Sequence, residues 1–182
     1  MKTTITSKSK AEVIFQSIGN SLFQVLQYND IGGYSNYKSF KQAKDIYDCN
    51  DALRQVKVIL KNSTIKVQNE ILSYMKGDIE IKDKKIKSSS ITRRLFGIGE
   101  KTGKISLSGT GEVYFKPSFK YFSLIELYDE EIIVDEDIFY ICEDSIKINI
   151  EDGEKLLGKD KLQIKLSGSG IVILLMNVPE SE

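Results

Sequence analysis

Leu107-Ser108-Gly109-Thr110-Gly111-Glu112-Val113 and Leu166-Ser167-Gly168-Ser169-Gly170-Ile171-Val172 decide how this chain is read, because they are one phrase written twice. Outward from them the likeness continues. At one constant offset, Val58 falls on Ile125, Leu60 on Leu127, Ile65-Lys66-Val67 on Ile132-Ile133-Val134, and Ile71-Leu72 on Ile138-Phe139. Ile79 and Ile81 fall in the same way on Ile146 and Ile148. The offset shortens at the glycine phrases, so the second copy has a shorter central connection. A duplicated unit does not normally bury its apolar face alone, so the copies are expected to pack into one body. The matched positions are mostly apolar. They describe a scaffold, and no chemistry repeats with them.

The local pattern is that of strands. Gln55 to Leu60, Thr64 to Val67 and Ile79 to Lys82 alternate apolar and polar, as do Ala11 to Gln16 and Leu22 to Tyr28 across Gly19-Asn20. Lys61-Asn62-Ser63, Lys76-Gly77-Asp78, Tyr128-Asp129-Glu130 and Glu143-Asp144-Ser145 carry turn chemistry. Second-copy strands centre on Leu124, Ile132, Tyr140 and Ile148. Pro117 and Pro179 follow the two glycine strands, where a residue without an N–H belongs. Phe40 to Ala52 has helical spacing in Phe40, Ala43, Ile46 and Tyr47, which suits a short helix or turn. The class that follows is all-β, an internally repeated antiparallel β-sandwich or β-roll. Its parts are an N-terminal β-rich segment (1–54) packing on the body, a first repeat (55–120), a second repeat (121–178) and a tail (179–182). Ile171 to Met176 is an uncharged run, read as an open edge strand that self-associates or is covered by strands around Val13 and Val25.

Composition bounds the chemistry. The chain has 182 residues and 41% hydrophobic residues, enough for a sizeable core. Lys+Arg and Asp+Glu are 26 each, so a nucleic-acid partner is not expected from charge. There is no His, which removes the commonest general base and metal ligand. Cys49 and Cys142 stand far apart, too few for a zinc set, and read as reduced and packed. No apolar run after Met1 suits a leader and none in the chain is long enough to span a bilayer, so the expected location is cytoplasmic.

Four features of the sequence are of the kind that forms sites. Gly109-Thr110-Gly111 and Gly168-Ser169-Gly170 lack the third glycine and the helix of a phosphate loop and read as bulges or close backbone approaches. Asp129-Glu130-Glu131, Asp135-Glu136-Asp137 and Glu143-Asp144 lack EF-hand spacing, and the first-copy counterparts of the first two, Asn62-Ser63-Thr64 and Gln68-Asn69-Glu70, are mostly uncharged. The acidic stretches read as solvated turns rather than a cation site. Tyr28, Tyr34, Tyr37 and Tyr47 suit an interface or stacking but also ordinary strands. Arg93, Arg94, Leu95 and Phe96, in the connection of the first copy, form the candidate interaction loop, toward a protein or a membrane surface. No catalytic, cofactor-binding or metal residue is assigned, and no cofactor is expected.

Gly109-Thr110-Gly111-Glu112-Val113-Tyr114-Phe115-Lys116-Pro117-Ser118-Phe119, with Leu124 to Leu127, Glu131 to Asp135 and Leu72 to Glu80, resembles the altered inheritance of mitochondria family, the group named for member twenty-four. The resemblance runs from about Val56 to about Asn177. It implies a β-rich fold similar to the tryptophan RNA-binding attenuation protein, built of three related units, with no established enzyme activity. Mitochondrial members are linked to inner-membrane organisation; without a transit peptide this chain looks like a bacterial-type member. It departs from the family in the short, polar Ile86 to Gly103 connection. It also stops at Glu182, about where a third copy would begin, so it is a short form or a piece, or its N-terminal strands fill the third place. The expected function is a non-enzymatic β scaffold acting through a protein partner or self-association. An RNA- or small-ligand-binding module is the alternative, and a carboxylate-based enzyme comes third.

Overall fold

The computed structural model describes residues 11–28, 52–68, 70–84, 104–151 and 163–176. The helix expected from Phe40 onward, Cys49, Tyr34, Tyr37, Tyr47 and Pro179 lie outside the described residues. The described strands are β1 Ala11–Ile18, β2 Ser21–Tyr28, β3 Leu53–Gln68, β4 Leu72–Lys84, β5 Lys104–Phe115, β6 Tyr121–Asp135, β7 Phe139–Glu143, β8 Lys147–Glu151 and β9 Gln163–Met176. A single 3-10 turn at Glu136–Ile138 joins β6 to β7. All nine strands belong to one antiparallel sheet, in the order β1-β2-β3-β7-β9-β6, with β5 also on β3, β4 on β5 and β8 on β9. The all-β expectation therefore holds, and the N-terminal pair forms the hairpin read from Gly19-Asn20.

Three expected turns are corrected. Lys61-Asn62-Ser63 lies inside the 16-residue β3, Lys76-Gly77-Asp78 inside β4, and Tyr128-Asp129-Glu130 inside the 15-residue β6. The alternation does break at two of these, but by a bulge. In β3, Lys61 faces Thr110 and Ser63 faces Gly109, leaving Asn62 as the extra residue at φ 54. In β6 the register shifts between Leu127 and Glu130, with Asp129 at φ 59. A bulge flips the phase of the side chains. Val56, Val58 and Leu60 are buried before it in β3, Ile65 and Val67 after it.

The doubled glycine phrase now has a mechanism. The N–H of Asn62, put out of the ladder by its bulge, donates to Thr110 Oγ1 at 3.0 Å. The N–H of Asp129 donates to Ser169 Oγ at 2.9 Å. The middle residue of each Gly-x-Gly thus supplies a hydroxyl to the bulge opposite. The flanking glycines permit a close backbone crossing. A Cβ on Gly109, whose φ is 139, would fall 2.1 Å from the Asp78 carbonyl oxygen. The glycines do sit in strands, as expected, while the bulged residues are on the facing strands.

Burial divides into two clusters. One gathers Phe23 of β2, Val56, Val58, Leu60, Ile65 and Val67 of β3, Leu107, Val113 and Phe115 of β5, Tyr140 and Ile141 of β7, and Ile171 and Ile173 of β9. The other gathers Leu127, Phe139, Cys142, Ile146, Ile164, Leu166, Val172 and Leu174. Ile171 and Ile173 enter the first cluster and Val172 and Leu174 the second, so the run is buried on both faces, while β6 pairs one of its edges and β7 the other. The expectation of an open edge there is overturned, and so is its cover by strands around Val13 and Val25. An uncharged apolar run is what a central strand needs, so its composition reports burial rather than exposure.

Candidate interaction surface

The acidic run does not stay together. Glu131 pairs with Lys165 at 2.6 Å, Glu136 with Lys104 at 3.6 Å, and Asp144 with Lys66 at 3.3 Å. Asp129, Glu130 and Glu131 line a shallow depression with Ile132, Lys147, Ser167 and Gly168, so a cation already stands among the carboxylates. Among the described residues no three His, Cys, Asp or Glu side chains are grouped to hold a metal.

Glu143 departs most from its expected place on a solvated turn. It is 2% exposed. Its Oε1 accepts from the N–H groups of Asn20 at 2.6 Å and Ser21 at 3.4 Å, and its Oε2 from the N–H of Ile171 at 3.1 Å. Burying a carboxylate is costly unless donors surround it, and here three backbone amides do. A Cβ on Gly19 would lie 2.4 Å from Oε1, so that glycine makes room for the carboxylate. Glu143 thereby ties the β1–β2 turn to the end of β7 and the middle of β9. Cys142, its neighbour, is free and buried, and burial pushes its thiol up to about 12.

The outer face of β4, β5, β3 and β2 carries a cross-strand row. Tyr74 pairs with Tyr114, Tyr114 with Lys57, and Lys57 with Gln24. The rings of Tyr74 and Tyr114 stack with centroids 4.4 Å apart and 12° between planes. Lys57 Nζ reaches Glu112 Oε1 at 3.1 Å and sits over the Tyr114 ring at 5.3 Å. Hydrogen bonding to Lys57 holds the Glu112 carboxyl below its ordinary range. Tyr28, where the tyrosine reading touches described structure, donates its hydroxyl to Gln55. Lys57 is balanced by Glu112, so the row is aromatic without being a basic groove.

The remaining feature is the set of sheet edges. Among the described residues β1 pairs only with β2, β4 only with β5, β6 only with β9 and β8 only with β9. Large apolar side chains stand exposed on three of them: Val13, Ile14, Phe15 and Ile18 on β1, Tyr74 and Ile81 on β4, Tyr128 and Ile133 on β6. An edge of this kind is a template for another strand. Arg93, Arg94, Leu95 and Phe96 lie outside the described residues. The sequence reading missed the edges because exposure of a strand depends on which strands fail to pair. Glu143 gave one faint signal, a carboxylate directly after the apolar Phe139 to Cys142.

No helix among the described residues is long and apolar enough to cross a membrane. The protein family described as Mitochondrial biogenesis AIM24 matches residues 48–177. No curated protein matches the chain in sequence. Among solved structures, the crystal structure of protein SPYM3_0169 from Streptococcus pyogenes is similar in fold, with a TM-score of 0.50 at 14% identity. The match covers 68% of this chain and 59% of that one.

Proposed function

We propose, for a chain that belongs to the Mitochondrial biogenesis AIM24 family, a non-enzymatic β scaffold that works by binding protein through its sheet edges, its own copies included. The observation that carries this reading is the exposure of large apolar side chains on β1, β4 and β6, strands that pair on one side alone among the described residues. The alternative, an RNA- or small-ligand-binding module, would call on the Tyr74–Tyr114–Lys57 row. The Glu112 carboxylate neutralises its one cation, which favours the scaffold. A cytoplasmic location belongs to the same proposal.

The reading includes a duplication. Under the sequence alignment, β4-β5-β3 becomes β7/β8-β9-β6, and the registers agree. Val58 faces Val113 and Ile65 faces Leu107; Ile125 faces Val172 and Ile132 faces Leu166. Leu72 faces Phe115 and Ile81 faces Leu107; Phe139 faces Leu174 and Ile148 faces Leu166. Both bulges carry the same hydroxyl partner. These agreements support two copies of one unit, and the likeness to the tryptophan RNA-binding attenuation protein fold is part of this proposal. Sedimentation velocity over a range of protein concentration tests the function. Species heavier than the monomer are expected to grow with concentration. A monomer throughout, or saturable RNA binding lost in Lys57→Ala, would refute the scaffold reading.

A further inference from the structure

Besides packing in the first cluster, the two units are joined among the described residues by one short backbone ladder: Ile65 faces Glu143, Lys66 faces Cys142, and Val67 faces Ile141. This joins the far end of β3, in the first unit, to β7 in the second. Ile65, Val67 and Ile141 are fully buried there. Under the correspondence argued above, on which this inference rests, β6 is the second unit's β3 and the start of β4 is the first unit's β7. The positions equivalent to the junction are therefore Ile132, Ile133 and Val134 on β6 and Tyr74, Met75 and Lys76 on β4. Both segments lie on strands paired on one side only among the described residues. Where the internal junction is sealed, these positions are not: Ile132, Val134 and Met75 are half-buried, and Ile133 and Tyr74 are each 54% exposed.

We infer that the occupant of both edges is a second copy of this chain, placed head to tail, with Ile132 to Val134 of one copy laddered against Tyr74 to Lys76 of the next in the register of the internal junction. Three observations favour a copy over an unrelated strand. The chain already contains the same contact once, with its register. The two edges are apolar at the matching positions. Their charges also complement one another, since Lys76 would come opposite Ile132 beside Glu130 and Glu131. Such a contact joins two different surfaces, so it gives a ring if the rotation closes and a chain of copies if it does not.

The test uses the full chain carrying Cys49→Ser, with the buried Cys142 left in place. Met75→Cys and Ile133→Cys are made as separate proteins, mixed, oxidised mildly and run without reductant. The mixture is expected to give a disulfide-linked dimer that neither protein gives alone. Ile133→Lys, at an exposed site, is expected to weaken self-association at least tenfold in sedimentation, with a melting temperature unchanged from wild type at concentrations low enough for both to be monomeric. If the wild type associates but the mixture does not cross-link, or if Ile133→Cys links to itself, the head-to-tail contact is wrong while the scaffold reading stands. A wild type that is monomeric at every concentration sinks both.

Discussion

Replacing Glu143 tests the account of how the N-terminal hairpin is held. The carboxylate is nearly sealed from solvent and accepts three backbone N–H groups, two of them from buried residues, Ser21 and Ile171. Glu143→Leu keeps most of the volume and removes every acceptor. Each buried donor left without a partner costs about 1–3 kcal/mol. The long 3.4 Å contact to Ser21 belongs at the low end of that range, and the Asn20 amide lies near enough to solvent to recover water. The expected loss is therefore about 2–4 kcal/mol. Glu143→Gln keeps one oxygen and turns an NH2 toward a remaining N–H, so it is expected to cost about 1–2 kcal/mol. Urea unfolding with an unchanged m-value reads the loss. Amide exchange should accelerate at Ser21 and Ile171 in Glu143→Leu more than at Val58, which is buried in the same cluster as Ile171 but gives no hydrogen bond to Glu143. If Glu143→Leu unfolds within about 0.5 kcal/mol of wild type, the size expected of an ordinary surface change, the carboxylate does not hold the hairpin.

Two further outcomes follow from the same physics. Thr110→Val and Ser169→Ala each remove the hydroxyl that receives a bulge amide; because those amides are exposed and can turn to water, each should cost only about 0.5–1 kcal/mol by denaturant unfolding, and the two losses should be alike. Burial pulls the Lys104 ammonium below its ordinary value, with Glu136 pulling it back up, and burial likewise raises the Glu136 carboxyl. A depressed lysine binds its proton less tightly when folded, so stability should rise as pH climbs from its folded value toward 10.5. The raised carboxyl should add stability as pH falls from its folded value toward 4.5. Lys104→Met with Glu136→Leu should unfold at the same or higher urea concentration at neutral pH and lose the alkaline rise, whereas Glu136→Leu alone should be less stable than either.

What the sequence made legible was set by period. Val56 to Leu60 and Ile79 to Ile81 alternate cleanly, and they are strands. The doubled glycine phrase marked the right two strands, β5 and β9, and the family resemblance given by its neighbours is matched over residues 48–177. The failures came where period is silent about partners. Asn62 and Asp129 look like turn residues because each does take a positive φ, but a bulge needs that conformation as much as a turn does. Ile171 to Met176 reads the same whether both sides are paired or neither is; β6 and β7 settle it from elsewhere in the chain. Glu143 was misplaced because three amides distant in sequence, and no neighbour of its own, make its burial tolerable. The surface now proposed for assembly was invisible for the same reason: an edge is defined by a missing neighbour.

The bulge in β3 also governs which changes in chain length this protein tolerates. Because Asn62 is one residue too many for the ladder, its removal would bring Ile65 and Val67 into step with Val56, Val58 and Leu60 on one uninterrupted face. A deletion at Lys57 or Lys66 would instead turn one part of the strand inside out, delivering polar side chains to the cluster around Phe115. Loss of a codon at Asn62 would thus keep the core and flatten the strand, whereas the same loss a few positions away would abolish the core. Drift in length along β3 is therefore channelled to the point opposite Thr110, and relatives that differ by one residue in this strand should differ there.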